Sequence, residues 1–305
     1  MTKKLARGTL LATLAALIGN GIFGFSFMFS RMALSIASPF VLLMYRFSAA
    51  LLLLSLVALW AHKTQRTDDF RFALGGRNVL PLLLLGLVQP VLYFLCESYG
   101  VSLTNATVSG VIIALIPIAA LAGGALFMHE RPSRGQVGYS LLSIAGVIVM
   151  TLQQSAGGDV APLGILLLLG AVVTGAAFSL LSRRLARDFS ALERTYVMML
   201  VATLCFTLLA VLENSADTQS LFSPLKSSRF LLSTIYLSVF SSVLAFLCLN
   251  FAATVLPVSK TTAFCNITTV LSVFAGVVFL GESINTVSVI AAAVIIAGVF
   301  GVQKT

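Results

Sequence analysis

The chain has 305 residues, of which 59% are hydrophobic and only 10% are charged, and its formal net charge is +9. Soluble domains carry about 25% charged residues, so this composition excludes a soluble globular protein with an ordinary polar surface. The basic residues lie in short segments between apolar runs and form no basic face, which excludes nucleic acid as an expected partner.

Ten apolar segments follow one another along the chain, and a span of the bilayer takes about 20 residues. They lie at roughly 8–34, 38–61, 79–99, 104–127, 135–153, 162–183, 192–212, 230–252, 258–280 and 285–303. The connections between them are short, apart from those at 62–78 and 213–229. The sequence therefore predicts an all-α integral membrane protein with ten transmembrane helices and no separate soluble domain.

Lysine and arginine residues predict the orientation of these helices. If the N-terminus lies inside, the inner segments carry fifteen of these residues and the outer segments carry three. Cytoplasmic loops are enriched in lysine and arginine. We therefore predict a multi-pass protein of the cell membrane with both termini in the cytoplasm.

The chain also contains an internal repeat, because a shift of 152 residues aligns it with itself without a gap. Each half then holds five spans, and an odd number places the second half in the opposite orientation. We predict two inverted repeats, at 1–153 and 160–305. Such repeats are typical of secondary transporters whose substrate binds between the halves near the midplane. Residues that coincide include Ser30-Arg31 with Ser182-Arg183, Gly124 with Gly276, Glu130 with Glu282, and Gly146 with Gly298, and these last glycines are expected to allow close helix packing.

Two charged residues lie clearly inside predicted spans, where a charge costs about 3 kcal/mol on insertion scales. Arg46 lies in the second span and Glu97 near the outer end of the third. In a functional interpretation, Arg46 binds a substrate carboxylate or holds Glu97, while Glu97 binds an ammonium group or a proton. The structural alternatives are an ion pair, capping of backbone carbonyls by Arg46, or hydration of Glu97 at the outer surface.

Uncharged polar residues within the spans are the next candidates for substrate binding or coupling. An amide at membrane depth needs a partner, either on another helix or in cavity water. Contacts that join two helices are therefore the alternative to a binding role. The candidates are Asn20, Tyr45, Gln89, Tyr93 and Asn266.

Pro117 interrupts the fourth span, where it frees a carbonyl and bends the helix. Both gating and a static kink are consistent with this position. Glu130 and Glu282 occupy equivalent junctions of the two repeats, and we interpret them as structural. Ser133 and Asn285 follow three residues later as predicted helix N-caps.

The sequence contains no pattern that predicts catalysis. Phosphate-binding loops of the Walker type, HExxH and GxSxG are absent, so neither an enzyme nor direct drive by ATP is expected. Four cysteines lie in apolar runs without CxxC spacing. We expect no metal and no cofactor.

At this level the chain resembles the EamA family of the drug/metabolite transporter superfamily. The resemblance rests on Gly24-Phe25-Ser26-Phe27, on Arg46, and on the stretch from Ala106 to Arg131, which the second half repeats from Ala253 to Glu282. It implies two EamA repeats around a central cavity lined by the helices that carry Asn20 and Asn266. Two departures stand out: Thr269 replaces the first-half proline, and Glu97 lies where many members have an apolar residue.

Members of this superfamily mostly export amino acids, related metabolites or drugs, many of them by proton exchange. The resemblance therefore implies a secondary active transporter that exports amino acids or related small metabolites by proton antiport. Uptake of a small nutrient and export of drugs or nucleosides remain alternatives, and a receptor or a lipid enzyme is less favoured. The expected partners are a small-molecule substrate, protons and membrane lipid, and the protein is either a monomer or a homodimer.

Overall fold

A computed structural model of the chain describes residues 2–64, 72, 74, 78–128, 133–156, 160–256, 261, 264–282 and 285–304. Its regular elements in these ranges are all helical, as predicted. In the first half they are α1 (Thr2–Leu34), α2 (Pro39–Thr64), α3 (Leu80–Ser102), α4, which has two pieces (Ala106–Ile113 and Ile116–Met128), and α5 (Arg134–Ala156). In the second half they are α6 (Pro162–Leu185), α7 (Ala191–Glu213), α8 (Ser228–Val255), α9 (Cys265–Leu280) and α10 (Thr286–Lys304).

Seven of the described helices are long and apolar enough to cross a membrane, and two shorter apolar helices, Ile267–Leu280 and Thr286–Gly301, follow near the C-terminus. The chain is therefore a multi-pass membrane protein. Ten as the number of spans stays a prediction, as does the orientation of the termini. The predicted connection at 213–229 contains a short helix, Gln219–Phe222, and a 3-10 turn, Ser223–Lys226.

The predicted N-caps are confirmed at two helix starts. Ser133 Oγ accepts a hydrogen bond from the Gln136 amide at 3.1 Å, just before α5. Asn285 Oδ1 accepts one from the Ser288 amide at 2.7 Å, just before α10. Each cap satisfies an amide that has no partner inside its helix.

Glu282 has a structural role of the predicted kind. Its two carboxylate oxygens accept hydrogen bonds from the amides of Ala106 and Thr107, at 2.8 and 2.9 Å. These amides open α4, where a negative charge is favoured by the helix dipole. Glu130, the equivalent residue of the first repeat, lies outside the described residues.

The fourth helix is interrupted at residues 114–115, immediately before Pro117. Proline has no amide hydrogen and its ring obstructs the preceding turn, so the helix restarts with Pro117 in its first turn. The matching position in α9 is Thr269, whose Oγ1 donates to the Gly110 carbonyl at 3.1 Å, and α9 runs without interruption from Cys265 to Leu280. Within Cys265–Leu280, the described part of α9 has no break of this kind.

Matching contacts in the two halves support the inverted repeat. Arg31 Nη1 donates to the backbone carbonyls of residues 101 and 102, at 2.9 and 2.8 Å. Arg183 Nη1 donates to the carbonyls of residues 253 and 254, at 2.7 and 2.9 Å. Every residue in the second set lies 152 positions after its counterpart in the first. Each arginine thus caps the end of a helix in its own half, α3 or α8.

Helices α5 and α10 pack closely against each other through residues that are one repeat length apart. Ser143 Oγ donates to the Ile295 carbonyl at 3.1 Å. A Cβ atom at Gly146 would lie 2.7 Å from Ile295 Cγ1, and one at Gly298 would collide with Ser143 Oγ. The predicted close packing at these glycines is confirmed.

Gly298→Ala is therefore expected to lower the stability of the protein in detergent by about 1–3 kcal/mol, the usual cost of overpacking. Thermal unfolding followed by circular dichroism measures this loss. Gly138→Ala is the matched control, because a Cβ atom at Gly138 meets nothing within 4 Å and alanine favours the helix by about 1 kcal/mol. Equal stability of the two variants would contradict the assigned packing.

Candidate functional site: a cavity between the two halves

A cavity lies between the two halves, lined by α1, α3 and α4 on one side and by α6, α8 and α9 on the other. Its volume is about 80 Å³, measured as the space open to the centre of a water molecule. One water needs about 10–15 Å³ by that measure, so the cavity has room for a small molecule. Much of the wall is aromatic and includes Phe23, Phe27, Phe94 and Phe178.

The cavity extends towards the predicted cytoplasmic face. Ser182 and Ala253, near the ends of α6 and α8, line it together with Thr261, and all three lie at helix ends that the charge distribution places inside. Glu97, towards the opposite end, is only 2% exposed. Ser182 and Glu97 thus line opposite ends of the cavity.

Among the described residues that line the cavity, Glu97 is the charged one. Its carboxylate accepts one long hydrogen bond, from Ser98 Oγ at 3.4 Å. Hydration at the outer surface, one of the alternatives, does not fit a side chain with this degree of burial. A buried carboxylate without strong donors is costly, so this group requires a proton or a cation as its partner.

Arg46 is also buried, but the structure does not place it on the cavity. Its Nε donates to Ser242 Oγ and its Nη2 to Ser241 Oγ, both at 2.8 Å. The guanidinium carbon lies 4.1 Å from the centre of the Phe94 ring, and Phe94 lines the cavity. The described contacts of Arg46 and Glu97 thus include neither a direct ion pair nor capping of backbone carbonyls. Arg46 therefore contacts the cavity wall from outside the cavity, through the Phe94 ring.

Gln89 lines the cavity and is 5% exposed. It lies where α3 widens into a π-helical segment, Leu87–Leu92, and its backbone is extended (φ −146°, ψ 119°). Its Oε1 atom is buried and has no hydrogen-bond partner among the described residues. A buried acceptor without a partner costs about 1–3 kcal/mol, so a group that donates to it would be favoured.

Asn20 lines the cavity as well, but its polar atoms have partners within the protein. Its Nδ2 donates to the Ala16 carbonyl at 2.8 Å. Thr268 Oγ1, from α9, donates to the Asn20 backbone carbonyl at 2.8 Å and lies 3.3 Å from its Oδ1. The backbone carbonyl of Asn20 thus joins α1 to α9, while its amide nitrogen has its partner within α1.

The remaining predicted residues are distributed as follows. Tyr93 lines the cavity and is 8% exposed. Tyr45 does not reach the described lining, since its hydroxyl donates to the Leu221 carbonyl at 3.0 Å, in the connection before α8. The side chain of Asn266 lies outside the described part of the chain. Within the described residues, no three His, Cys, Asp or Glu side chains are grouped so as to hold a metal ion.

Sequence reasoning missed the position of Arg194, which it counted as a charge on an inner segment. The side chain is fully buried. Its Nη1 donates to the Ser182 carbonyl at 2.8 Å and to Ser182 Oγ at 2.7 Å, and its Nη2 donates to the Asn250 carbonyl at 2.6 Å. Because Ser182 lines the cavity, this network supports the cavity wall. The sequence feature that could have indicated this position is the Ser190–Glu193 capping box. It starts α7 before Arg194 and so places Arg194 inside the helix.

Comparison with known proteins decides the family. The sequence profile of the EamA-like transporter family matches residues 7–152 and, a second time, residues 162–303. The chain belongs to the EamA-like transporter family. It is 30% identical over 295 residues to the uncharacterized transporter YcxC of Bacillus subtilis (strain 168), which covers 95% of this chain and 92% of the relative. It is 28% identical over 231 residues to the uncharacterized transporter YetK of the same organism, covering 75% and 69%.

A solved crystal structure superimposes on this EamA-like protein with a TM-score of 0.68, covering 95% of each chain at 19% sequence identity. At this identity the similarity shows a shared fold. The family and the two relatives indicate a membrane transporter rather than an enzyme. The predicted limits of the two repeats, 1–153 and 160–305, stay a prediction.

Proposed function

We propose that this EamA-like protein is a secondary transporter of the cell membrane that exports an amino acid or a related small metabolite in exchange for protons. The observation that carries the proposal is the buried carboxylate of Glu97 in the lining of a cavity between the two halves. Inverted halves are suited to alternating access, because they can exchange conformations around a fixed site.

The burial of Glu97 gives a physical reason why the protein would exchange protons for substrate. Its carboxylate is buried with one weak internal donor, so its charge has to be neutralised by a proton or by a cationic group of the substrate. If both compete for the same carboxylate, the protein binds one or the other as it alternates. Protons that enter from outside then release the substrate, and the substrate releases protons inside.

The direction of transport follows from two arguments. The family resemblance implies export, and the cavity extends towards the helix ends that the charge distribution places in the cytoplasm. A substrate that leaves the cell has to enter from that side. We expect a small-molecule substrate, protons and lipid as the only partners that transport requires, from either a monomer or a homodimer.

Reconstitution tests this function. The purified protein is placed in liposomes and challenged with a panel of amino acids, amines, nucleosides and cationic drugs, with a pH gradient of either polarity. We expect at least one compound to accumulate in the direction opposite to proton flow, and a protonophore to abolish the accumulation. Liposomes without protein are the control.

Two results would change the proposal. Accumulation in the direction of proton flow would replace export by uptake, which is the first alternative. If no compound of the panel moves under either polarity, the transport function itself is contradicted.

A further inference from the structure

We propose that the substrate is a small amine that has no carboxylate and that carries a second hydrogen-bond donor at the end remote from its ammonium group. Glu97 would bind the ammonium group and Gln89 the second donor. This inference rests on the proposed transport function and, from amino acids and related small metabolites, selects the amines as its substrate class.

The negative charge of Glu97 in the cavity favours a positively charged ligand. Glu97 contributes a carboxylate, and the described lining offers no lysine or arginine to a ligand carboxylate. The nearby cation, Arg46, lies outside the described lining, donates to Ser241 and Ser242, and packs against the Phe94 ring. An amino acid would therefore bury a carboxylate without a cationic partner, which is costly, whereas a simple amine would not.

The repeat explains why Gln89 is available to a ligand. Shifted by 152 residues, Gln89 falls on Ser241, and both lie in the π-helical segments of their helices. Helix α2 packs against the segment in α8, and α7 packs against the segment in α3. Arg46 of α2 donates to Ser241, but its counterpart on α7 is Met198. Methionine has no hydrogen to donate, so the acceptor of Gln89 lacks the partner that the other half provides.

The spacing of the two groups sets the length of the ligand. Glu97 and Gln89 are eight residues apart on α3, which is about two helical turns. Both side chains extend into the same cavity, so a molecule of one ring and a short chain spans the gap between them. The aromatic wall, with Phe23, Phe27 and Phe178, suits the ring and the cation.

Four probes that share one skeleton test this inference: tyramine, phenethylamine, tyrosine and 3-(4-hydroxyphenyl)propanoate. Binding is measured by calorimetry on the full-length protein in detergent. We expect tyramine to bind best, phenethylamine about tenfold more weakly because it lacks the donor for Gln89, and tyrosine at least tenfold more weakly. The propanoate is expected not to bind.

Two substitutions assign the contacts. Gln89→Met is expected to weaken tyramine to the level of phenethylamine and to leave phenethylamine unchanged. Glu97→Gln is expected to weaken both amines alike. If Gln89→Met does not fold, Gln89→Ser serves instead, since serine is the residue at the matching position 241.

Several results would overturn the inference. They are tyrosine binding as tightly as tyramine, a tyramine preference that survives the loss of Gln89, and failure of all four probes to bind. The flux panel separates this failure from a failure of the transport function, because transport of any other compound leaves the function intact and removes only the amine assignment.

Discussion

Glu97→Gln is expected to abolish transport driven by a pH gradient while leaving the fold intact. Glutamine has the size of glutamate but neither carries a charge nor takes up a proton. A hydrogen bond to a charged group contributes about 1.5–3 kcal/mol, so substrate affinity should fall about tenfold to a hundredfold. Coupling should disappear altogether, since the exchange requires a group that alternates between proton and substrate.

The initial rate of flux in liposomes, with and without a pH gradient, measures both effects. Asp188→Asn is the matched control: it is the corresponding change of an acid to its amide, at an exposed residue outside the described lining of the cavity. Thermal unfolding of both variants shows whether the fold is retained. If Glu97→Gln transports at the wild-type rate and still responds to the gradient, Glu97 is not the coupling residue.

The architecture was largely predictable because bilayer length and charge bias act on whole segments. The apolar runs predicted most helix boundaries to within a few residues. The offset of 152 residues predicted contacts such as the close approach at Gly146 and Gly298. The N-caps of two helices were also predicted correctly, since Ser133 and Asn285 accept hydrogen bonds from amides in the first turn. These features depend on short stretches of sequence or on strong periodicity.

The details of the cavity were less predictable because they depend on which helices meet. The sequence places Arg46 and Glu97 in spans but leaves the hydration of Glu97 open, and the serine partners of Arg46 belong to α8, almost 200 residues away. Pro90 marks the π-helical segment of α3, because proline disrupts regular helical hydrogen bonding, but the segment of α8 contains no proline. Tyr45 is adjacent to Arg46, but a step of about 100° per residue directs it elsewhere.

Asn20 shows that the sequence can predict where a polar residue lies without predicting what it binds. Its position on a cavity-lining helix was predicted from the resemblance, and it does line the cavity. Whether an amide binds a ligand or joins helices depends on partners from other helices, here Thr268. Gln89 is also an amide, but its Oε1 has no partner among the described residues, and the residue on α7 that corresponds to Arg46 is Met198, which cannot donate.

Arg194→Met is expected to have the largest effect on stability of any single substitution in the described part of α7. The guanidinium donates to the carbonyls of Ser182 and Asn250 near the ends of α6 and α8, and to the Ser182 hydroxyl. Methionine fills a similar volume but donates nothing, so these carbonyls, which lie deep in the protein, lose a charged donor. A buried acceptor that loses its donor costs about 1–3 kcal/mol, and this substitution affects three acceptor atoms.

Thermal unfolding in detergent should therefore show a large drop for Arg194→Met and almost none for Arg184→Met, which makes the same change at an exposed residue ten positions earlier. Arg194→Lys distinguishes charge from geometry. Lysine retains the positive charge but lacks the fork that reaches Ser182 and Asn250 together, so most of the loss should remain. Wild-type stability of Arg194→Met would show that the buried arginine does not hold these helix ends, and the support of the cavity wall at Ser182 would then have to come from packing alone.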